Sequence, residues 1–422
     1  MVKVLVVYYS NRPRLRTTTI DHLYSFQRRP GLQCVYLNLA VRRPWPAMTR
    51  LGFDLVVFDY SFLSIRFNRP RFRRLVRRAR RLRDIAAVKV AIPQDEYVNT
   101  DLLCAFLRDM QVSHVFTAAS EQDWPAIYGE LDLDRVRLTT VLTGYLSDDT
   151  LATVERLRAL EPGRTVDIGY RARDLPVWLG RRGRLKAEIA AEVQRLAPER
   201  GMTTDVSTRE EDTLIGDDWF RLLLRSRATV GTEGGAGILD RDGSVRERTE
   251  AYLKRHPQAS FADVEAACFP GRDGELHLAA ISPRHLEACA TRTVQILVEG
   301  AYNGVLEAHR HYIPVRPDLA DLGAALDALG DADRCRRITD QAYNDVVASR
   351  RYHYDAFVDT VVRRSLEGRS SRAVPQGVVA RAATAALREA DRLSWRWVAV
   401  RFGLYSAVTA AARRLRAPRR LA

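Results

Sequence analysis

Short apolar runs, spaced so that a helix fits between them, constrain this chain more than any other feature. Val2 to Tyr8, Cys34 to Leu39, Phe53 to Phe58, Val88 to Ile92, His114 to Thr117 and Arg137 to Leu142 read as successive strands. Between two of them, Asp101 to Met110 places Leu102, Leu103, Phe106 and Leu107 on one helical face. Short, mostly apolar strands separated by helices suit a parallel sheet covered on both faces. The turn-rich segment after Leu142 contains Asp148 and Asp149, either of which can cap a helix through Leu160; the crossover to a second domain is predicted here.

A second α/β series follows. Its strands are predicted at Thr165 to Tyr170, Thr203 to Val206, Ala228 to Gly231, Gln295 to Val298 and His311 to Val315, with a helix from Gly183 to Leu196. Gly243 to Asp273 is a polar insertion with helical pattern over Val245 to Leu253 and Phe261 to Ala267, and from Leu319 the chain is helical almost to its end. A chain of 422 residues exceeds one ordinary core. The expected division is an N-terminal Rossmann-like domain over 1–150, a C-terminal Rossmann-like domain over 151–365 and basic amphipathic helices over 366–422.

No apolar run approaches the ~20 residues of a membrane span. The opening MVKVLVVYYS reads as a buried strand and not a secretory leader. Five scattered cysteines without CxxC spacing suit a reduced, cytoplasmic protein, and eight dispersed histidines without HExxH spacing point to no metal.

The formal charge of +15 is concentrated in two segments. Arg66 to Arg83 contains ten arginines and no acid, and Arg392 to Ala422 contains eight and no acid; without these, 49 basic residues face 52 acids. In the first segment, Asn68 can cap a helix that buries Phe72, Leu75, Val76, Ala79 and Leu82 and exposes the arginines. The tail combines Trp395, Trp397, Phe402, Leu404 and Tyr405 with arginines. Such helices are candidates for an anionic membrane surface, or simply solvated basic faces. Nucleic acid is not expected as a partner, since no recognition motif accompanies the charge.

Four groups of residues could carry chemistry. Pro283-Arg284-x-x-Glu287-Ala288 places an acid and an arginine on a helix beside the strand Gln295 to Val298, which is how α/β domains hold a ribose and phosphates. Gly231-Thr-Glu-Gly-Gly-Ala-Gly follows an apolar run; its glycines Gly231, Gly234 and Gly235 permit positive φ and close backbone approach, in a turn that either faces a ligand or merely reverses the chain. Ile168-Gly-Tyr-Arg171 ends a strand with a cation. Asp95 and Glu96 follow the strand Val88 to Ile92, where they either meet an acceptor hydroxyl or cap the next helix.

These motifs resemble group 1 glycosyltransferases of the GT-B fold, and a divergent branch similar to spore-maturation proteins in particular. His311-Tyr-Ile-Pro and Arg351-Tyr-His-Tyr extend the match, which covers roughly residues 160–365 and more loosely the first 150. The resemblance implies two Rossmann-like domains facing a cleft, with final helices returning toward the first. It implies transfer of a sugar from a nucleotide diphosphate sugar to a hydroxyl on a glycan, lipid-linked or small-molecule acceptor, with retained configuration and no cofactor.

Arg171 would offset the diphosphate, with Arg173 or Lys186 in place of the usual lysine. Arg284 would join them, Glu287 would hold the ribose, and Glu233 would face the donor sugar. Asp95 and Glu96 would meet the acceptor. Ala279 stands where many members carry a first glutamate, eight positions before Glu287. Polysaccharide biosynthesis on the inner face of the plasma membrane is the setting this implies. Two other readings stay open: a sugar-nucleotide epimerase on the same fold, and a non-catalytic basic protein bound to membrane or nucleic acid.

Overall fold

The computed structural model describes residues 1–368 except 13, 14 and 162, together with positions 389, 391, 393, 396, 398 and 400. Within the predicted basic tail, Trp395, Trp397 and Phe402 to Leu415 lie outside the described residues. The chain is α/β, built on two separate parallel sheets. It divides into two compact units: Met1–Pro93 with Ala105–Val115 and the residues from Ser365 onward, and Gln94–Cys104 with Phe116–Arg364.

The first sheet contains β1 (Val2–Tyr8), β2 (Leu32–Asn38), β3 (Leu55–Phe58), β4 (Val88–Ala91), β5 (His114–Thr117) and β6 (Arg137–Thr140), in the order β2-β1-β3-β4-β5-β6. Val4 pairs with Cys34 on one side and Leu55 on the other, which places β1 inside the sheet, and every residue from Val4 to Tyr8 is buried. The helix Arg69–Ala79 starts as its sequence predicts: the Asn68 side chain accepts from the Arg71 amide at 3.0 Å, with a proline in the first turn. It buries Phe72, Leu75 and Ala79, and Phe72 meets Phe62 and Phe106 at ring distances of 5.7 and 5.9 Å. Each such fully buried ring contributes roughly 1.5–3 kcal/mol. Asp391, one of the described tail positions, accepts hydrogen bonds from the Tyr8 and Tyr24 hydroxyls at 2.7 and 3.0 Å.

The second sheet contains β7 (Val166–Arg171), β8 (Thr204–Ser207), β9 (Ser226–Gly231), β12 (Val294–Val298) and β13 (Ile313–Val315), ordered β13-β12-β9-β7-β8. Between β9 and β12 in the chain lie β10 (Gly234–Ala236) and β11 (Leu278–Ala280), which form a separate antiparallel pair. The core stacks Ile168, Val230, Ile296 and Ile313 against Ile189, Val193 and Leu326. The polar insertion forms helices Ser244–Arg255 and Phe261–Cys268, close to the expected positions.

Two expectations change. His311 and Tyr312 precede the last strand, because the Glu307 amide donates to His311 Nδ1 and closes a turn there. The glycine-rich segment is not only a turn, since Gly234–Ala236 pairs as β10. The acid expected on a helix lies within Pro283–Ala290, at Glu287, with Pro283 in the first turn.

Candidate active site

In the second sheet the strand order reverses at β7: β8 adds on one side and β9 on the other. Open parallel sheets bind ligands beyond the carboxyl ends of the strands at such a reversal. Here those ends are Arg171 of β7 and Gly231 of β9. After β7 the chain passes Gly180, whose φ of 82° suits glycine, and enters the helix Arg181–Glu199. The Asp273 carboxylate caps this start by accepting from the Arg181 amide at 3.0 Å. Four residues apart on this helix, Arg182 and Lys186 share one face.

That face meets the glycine-rich segment. A Cβ on Gly234 would lie 3.7 Å from Lys186 Nζ, in ordinary contact. Gly235 is different: its φ is +142°, and a Cβ would lie 1.8 Å from the Leu278 carbonyl across β10–β11. Only glycine fits there. At Gly231 a Cβ would press on His285 Cε1 at 3.0 Å and Leu297 at 3.1 Å. Ala279, the position of the missing acid, pairs with Gly235 in β11.

Glu233, between β9 and β10, is buried and accepts from the Tyr302 amide at 2.7 Å. Arg182 Nη1 stands 3.9 Å from its other oxygen. Burial raises the Glu233 pKa, against the lowering effect of the Tyr302 amide and Arg182. Tyr302 holds this geometry with φ of 44°, its hydroxyl donating to the Val298 carbonyl at 2.6 Å. A Cβ at Gly300 would strike Glu233 Oε2 at 2.4 Å, so that glycine makes room for the carboxylate.

The helix Pro283–Ala290 delivers Arg284, His285 and Glu287. Arg284 Nη1 donates to the Arg171 carbonyl, which draws the helix to the end of β7. Its guanidinium lies 5.3 Å from the Trp219 ring centre, and the Trp219 indole N–H donates to Glu287 Oε2 at 2.7 Å. Arginine, tryptophan and glutamate therefore form one line. His285 is buried between Gln295 Oε1 at 3.0 Å and the Thr232 carbonyl at 3.4 Å. Burial pushes its pKa down to about 4, so the ring is neutral near pH 7.

Lys186 is the cation that the site perturbs most. Burial, then the like charge of Arg284, lowers its pKa to about 8, while Asp95 acts in the opposite direction. Asp95 is exposed, with φ of 56°. Lys186 and Asp95 are thus neighbours electrostatically, a relation that a separation of 91 positions hides from the sequence.

Two expected site residues are committed elsewhere. The Arg171 guanidinium donates to Asp205 Oδ1 at 2.5 Å, the Asp205 carbonyl at 2.7 Å, the Tyr170 carbonyl at 3.0 Å and the Asp212 carbonyl at 3.1 Å. With most of its donors used, only its backbone carbonyl faces the site, through Arg284. Glu96 is fully buried and accepts from Thr117 Oγ1, the Tyr128 hydroxyl at 2.9 Å and the Ala118 amide at 3.3 Å. Such an internal network suits a structural carboxylate better than one meeting an acceptor. Of the two replacements considered for the missing lysine, Arg173 pairs with Glu210 at 3.2 Å and Lys186 sits beside Gly234.

Trp219 joins the site through Arg284 and Glu287, contacts that local pattern does not announce. Its one signal is an aromatic residue beside two acids at the start of an amphipathic helix, Asp217–Arg225. Among the described residues, no three His, Cys, Asp or Glu side chains gather in a group that could hold a metal ion.

No protein-family model and no curated protein matches this chain. Among solved structures it is similar to Anabaena HepE in complex with UDP, at 10% identity and a TM-score of 0.45, covering 87% of this chain and 99% of that one. It is similar to sucrose-phosphate synthase from Thermosynechococcus elongatus, at 12% identity and 0.46, covering 88% and 100%. The pneumococcal O-GlcNAc transferase GtfA in complex with UDP and GlcNAc also aligns, at 11% identity and 0.36, covering 74% and 56%.

Proposed function

We propose that this chain is a glycosyltransferase that moves a sugar from a nucleotide diphosphate sugar to a hydroxyl acceptor. The observation that carries the reading is the gathering of Lys186, Arg182 and Arg284 around glycine-lined backbone at the switch point of the second sheet. Expulsion of a nucleoside diphosphate develops negative charge, and fixed cations in a water-poor site stabilise that charge. Lys186 and Arg284 take the diphosphate in this reading, with close approach permitted at Gly234 and Gly231. Glu287 accepts from the ribose hydroxyls, held in place by the Trp219 indole.

Glu233, fixed by the Tyr302 amide, orients the donor sugar. Asp95 is the acceptor-side carboxylate and polarises Lys186, while Glu96 supports the strand end from below through Thr117 and Tyr128. Retention of configuration, the absence of a required metal or cofactor, and a glycan, lipid-linked or small-molecule acceptor belong to this proposal by resemblance. So do a cytoplasmic location and attachment to a membrane surface; among the described residues no helix is long and apolar enough to cross a membrane.

Calorimetric titration with a panel of nucleoside diphosphates and their sugars is the test. Binding of one diphosphate, weakened about tenfold or more in Glu287→Ala, is the expected result, since a carboxylate hydrogen bond contributes roughly 1.5–3 kcal/mol. Absence of binding across the panel removes the proposal. Product analysis then separates transfer from epimerisation, because an epimerase returns an altered nucleotide sugar without any acceptor.

A further inference from the structure

The arginine-rich segment of the first unit lines a groove. Its volume is about 800 Å³, and Arg43, Arg74, Arg77, Arg78, Arg80 and Arg81 line it. Pro44, Arg83 and Asp84 complete the lining, and Arg83 is partly engaged by Asp109 at 3.7 Å. None of the six has an ion-pair partner among the described residues. Arg78 Nε is buried without a hydrogen-bond acceptor among them, an arrangement that is costly unless a ligand supplies the acceptor. Burial, followed by the like charges of Arg43 and Arg74, lowers the Arg78 pKa.

Apolar contacts do not explain the groove. The helix Arg69–Ala79 already buries Phe72, Leu75 and Ala79, and no exposed large apolar residue lies on it. A helix that inserts into a bilayer needs such residues on its outer face. Guanidinium forks arranged around a concave space instead match phosphoryl oxygens, which accept bidentate hydrogen bonds.

We propose that this groove binds a ligand carrying two or more neighbouring phosphoryl groups, at a site independent of the donor site. Inorganic tripolyphosphate is the probe, titrated into the full chain at low and at physiological salt. Wild type binds it, more weakly as salt rises. The triple variant Arg74→Gln/Arg78→Gln/Arg81→Gln loses about tenfold or more, each lost charged hydrogen bond accounting for up to about that factor. A charge-matched control, Arg135→Gln/Arg195→Gln/Arg336→Gln, keeps wild-type affinity, since these three are exposed arginines of the second unit.

Circular dichroism and melting of both variants check that the fold is retained. Should the triple variant be unfolded, the single variant Arg78→Gln carries the same test. Two vesicle arms identify the source: displacement of tripolyphosphate by vesicles with phosphatidic acid, but not by phosphatidylcholine alone, assigns the phosphates to a lipid headgroup; failure to displace assigns them to a soluble ligand. Both outcomes support the site. No tripolyphosphate binding by wild type, or equal loss in the charge-matched control, overturns it. So does a single-stranded oligonucleotide that binds while tripolyphosphate does not.

Discussion

Arginines around β7 in the second unit and arginines lining the groove in the first keep opposite company. Around β7 in the second unit they are tied into acid-rich clusters: Asp205 accepts from both Arg171 and Arg225, Asp167 takes Arg227 at 2.7 Å, and Asp327 takes Arg200 at 2.8 Å. Along Arg69–Ala79 and the turn after it, arginines face other arginines, and Arg78 feels Arg43 and Arg74 as like charges. The residue type is the same, and the consequences differ. A paired guanidinium is part of the architecture and has few donors left, as Arg171 illustrates. An unpaired one held near its own kind is a preformed binding surface whose repulsion a polyanion relieves.

Lys186 lies between these cases. It is neither fully paired nor fully solvated, and its lowered pKa marks it as a group tuned by its surroundings.

Asp205→Ala should break the contrast most strongly. It strands Arg171, which is only 13% exposed, together with Arg225. Partial exposure reduces the cost of a broken buried pair to about 2 kcal/mol. Urea denaturation measures this, and a loss near zero would mean that the second-unit arginines are no more structural than those of the groove.

The Lys186 prediction concerns pH. Below about 8 the ammonium is protonated and attracts a diphosphate; above it the neutral amine does not. Nucleoside diphosphate affinity should therefore fall as pH rises through about 8, and Lys186→Met should bind about tenfold more weakly with that slope flattened. A slope that persists in the variant would assign the titration to another group.

Arg78→Gln is the smallest effect and the most telling in sign. Removing a cation crowded by Arg43 and Arg74 should leave stability unchanged or raise it by up to about 0.5 kcal/mol, where removing a paired arginine lowers it. Thermal melting at low salt would show it. A clear destabilisation would mean that Arg78 is satisfied by its own fold and that the groove is not waiting for a ligand.

Much of this architecture was legible in the sequence. The run Val2 to Tyr8 became β1 because a mostly apolar run suits a strand inside the sheet, and Asn68 capped its helix because its side chain reaches the Arg71 amide. Gly231 and Gly235 were identifiable as places of close approach. Arg284 reaches the Arg171 carbonyl at the end of β7, and Glu233 follows the end of β9 beside Arg182. The strand expected over Arg137 to Leu142 ends at Thr140, a difference of the size that strand ends usually show.

What local pattern could not supply was the company each charged group keeps. Whether Glu96 points to solvent or into a net of Thr117 and Tyr128, and whether Arg171 is free or bound by Asp205, depends on contacts across tens of residues. Trp219 and Glu287 are 68 residues apart, and their hydrogen bond has no local signature. The sequence by itself determined the alternating α/β architecture, the glycine positions and the segments in which charge accumulates, because periodicity, backbone permissiveness and composition are local properties. Only the tertiary structure decided which cations are used up and which remain for a ligand, because desolvation and pairing depend on neighbours in space.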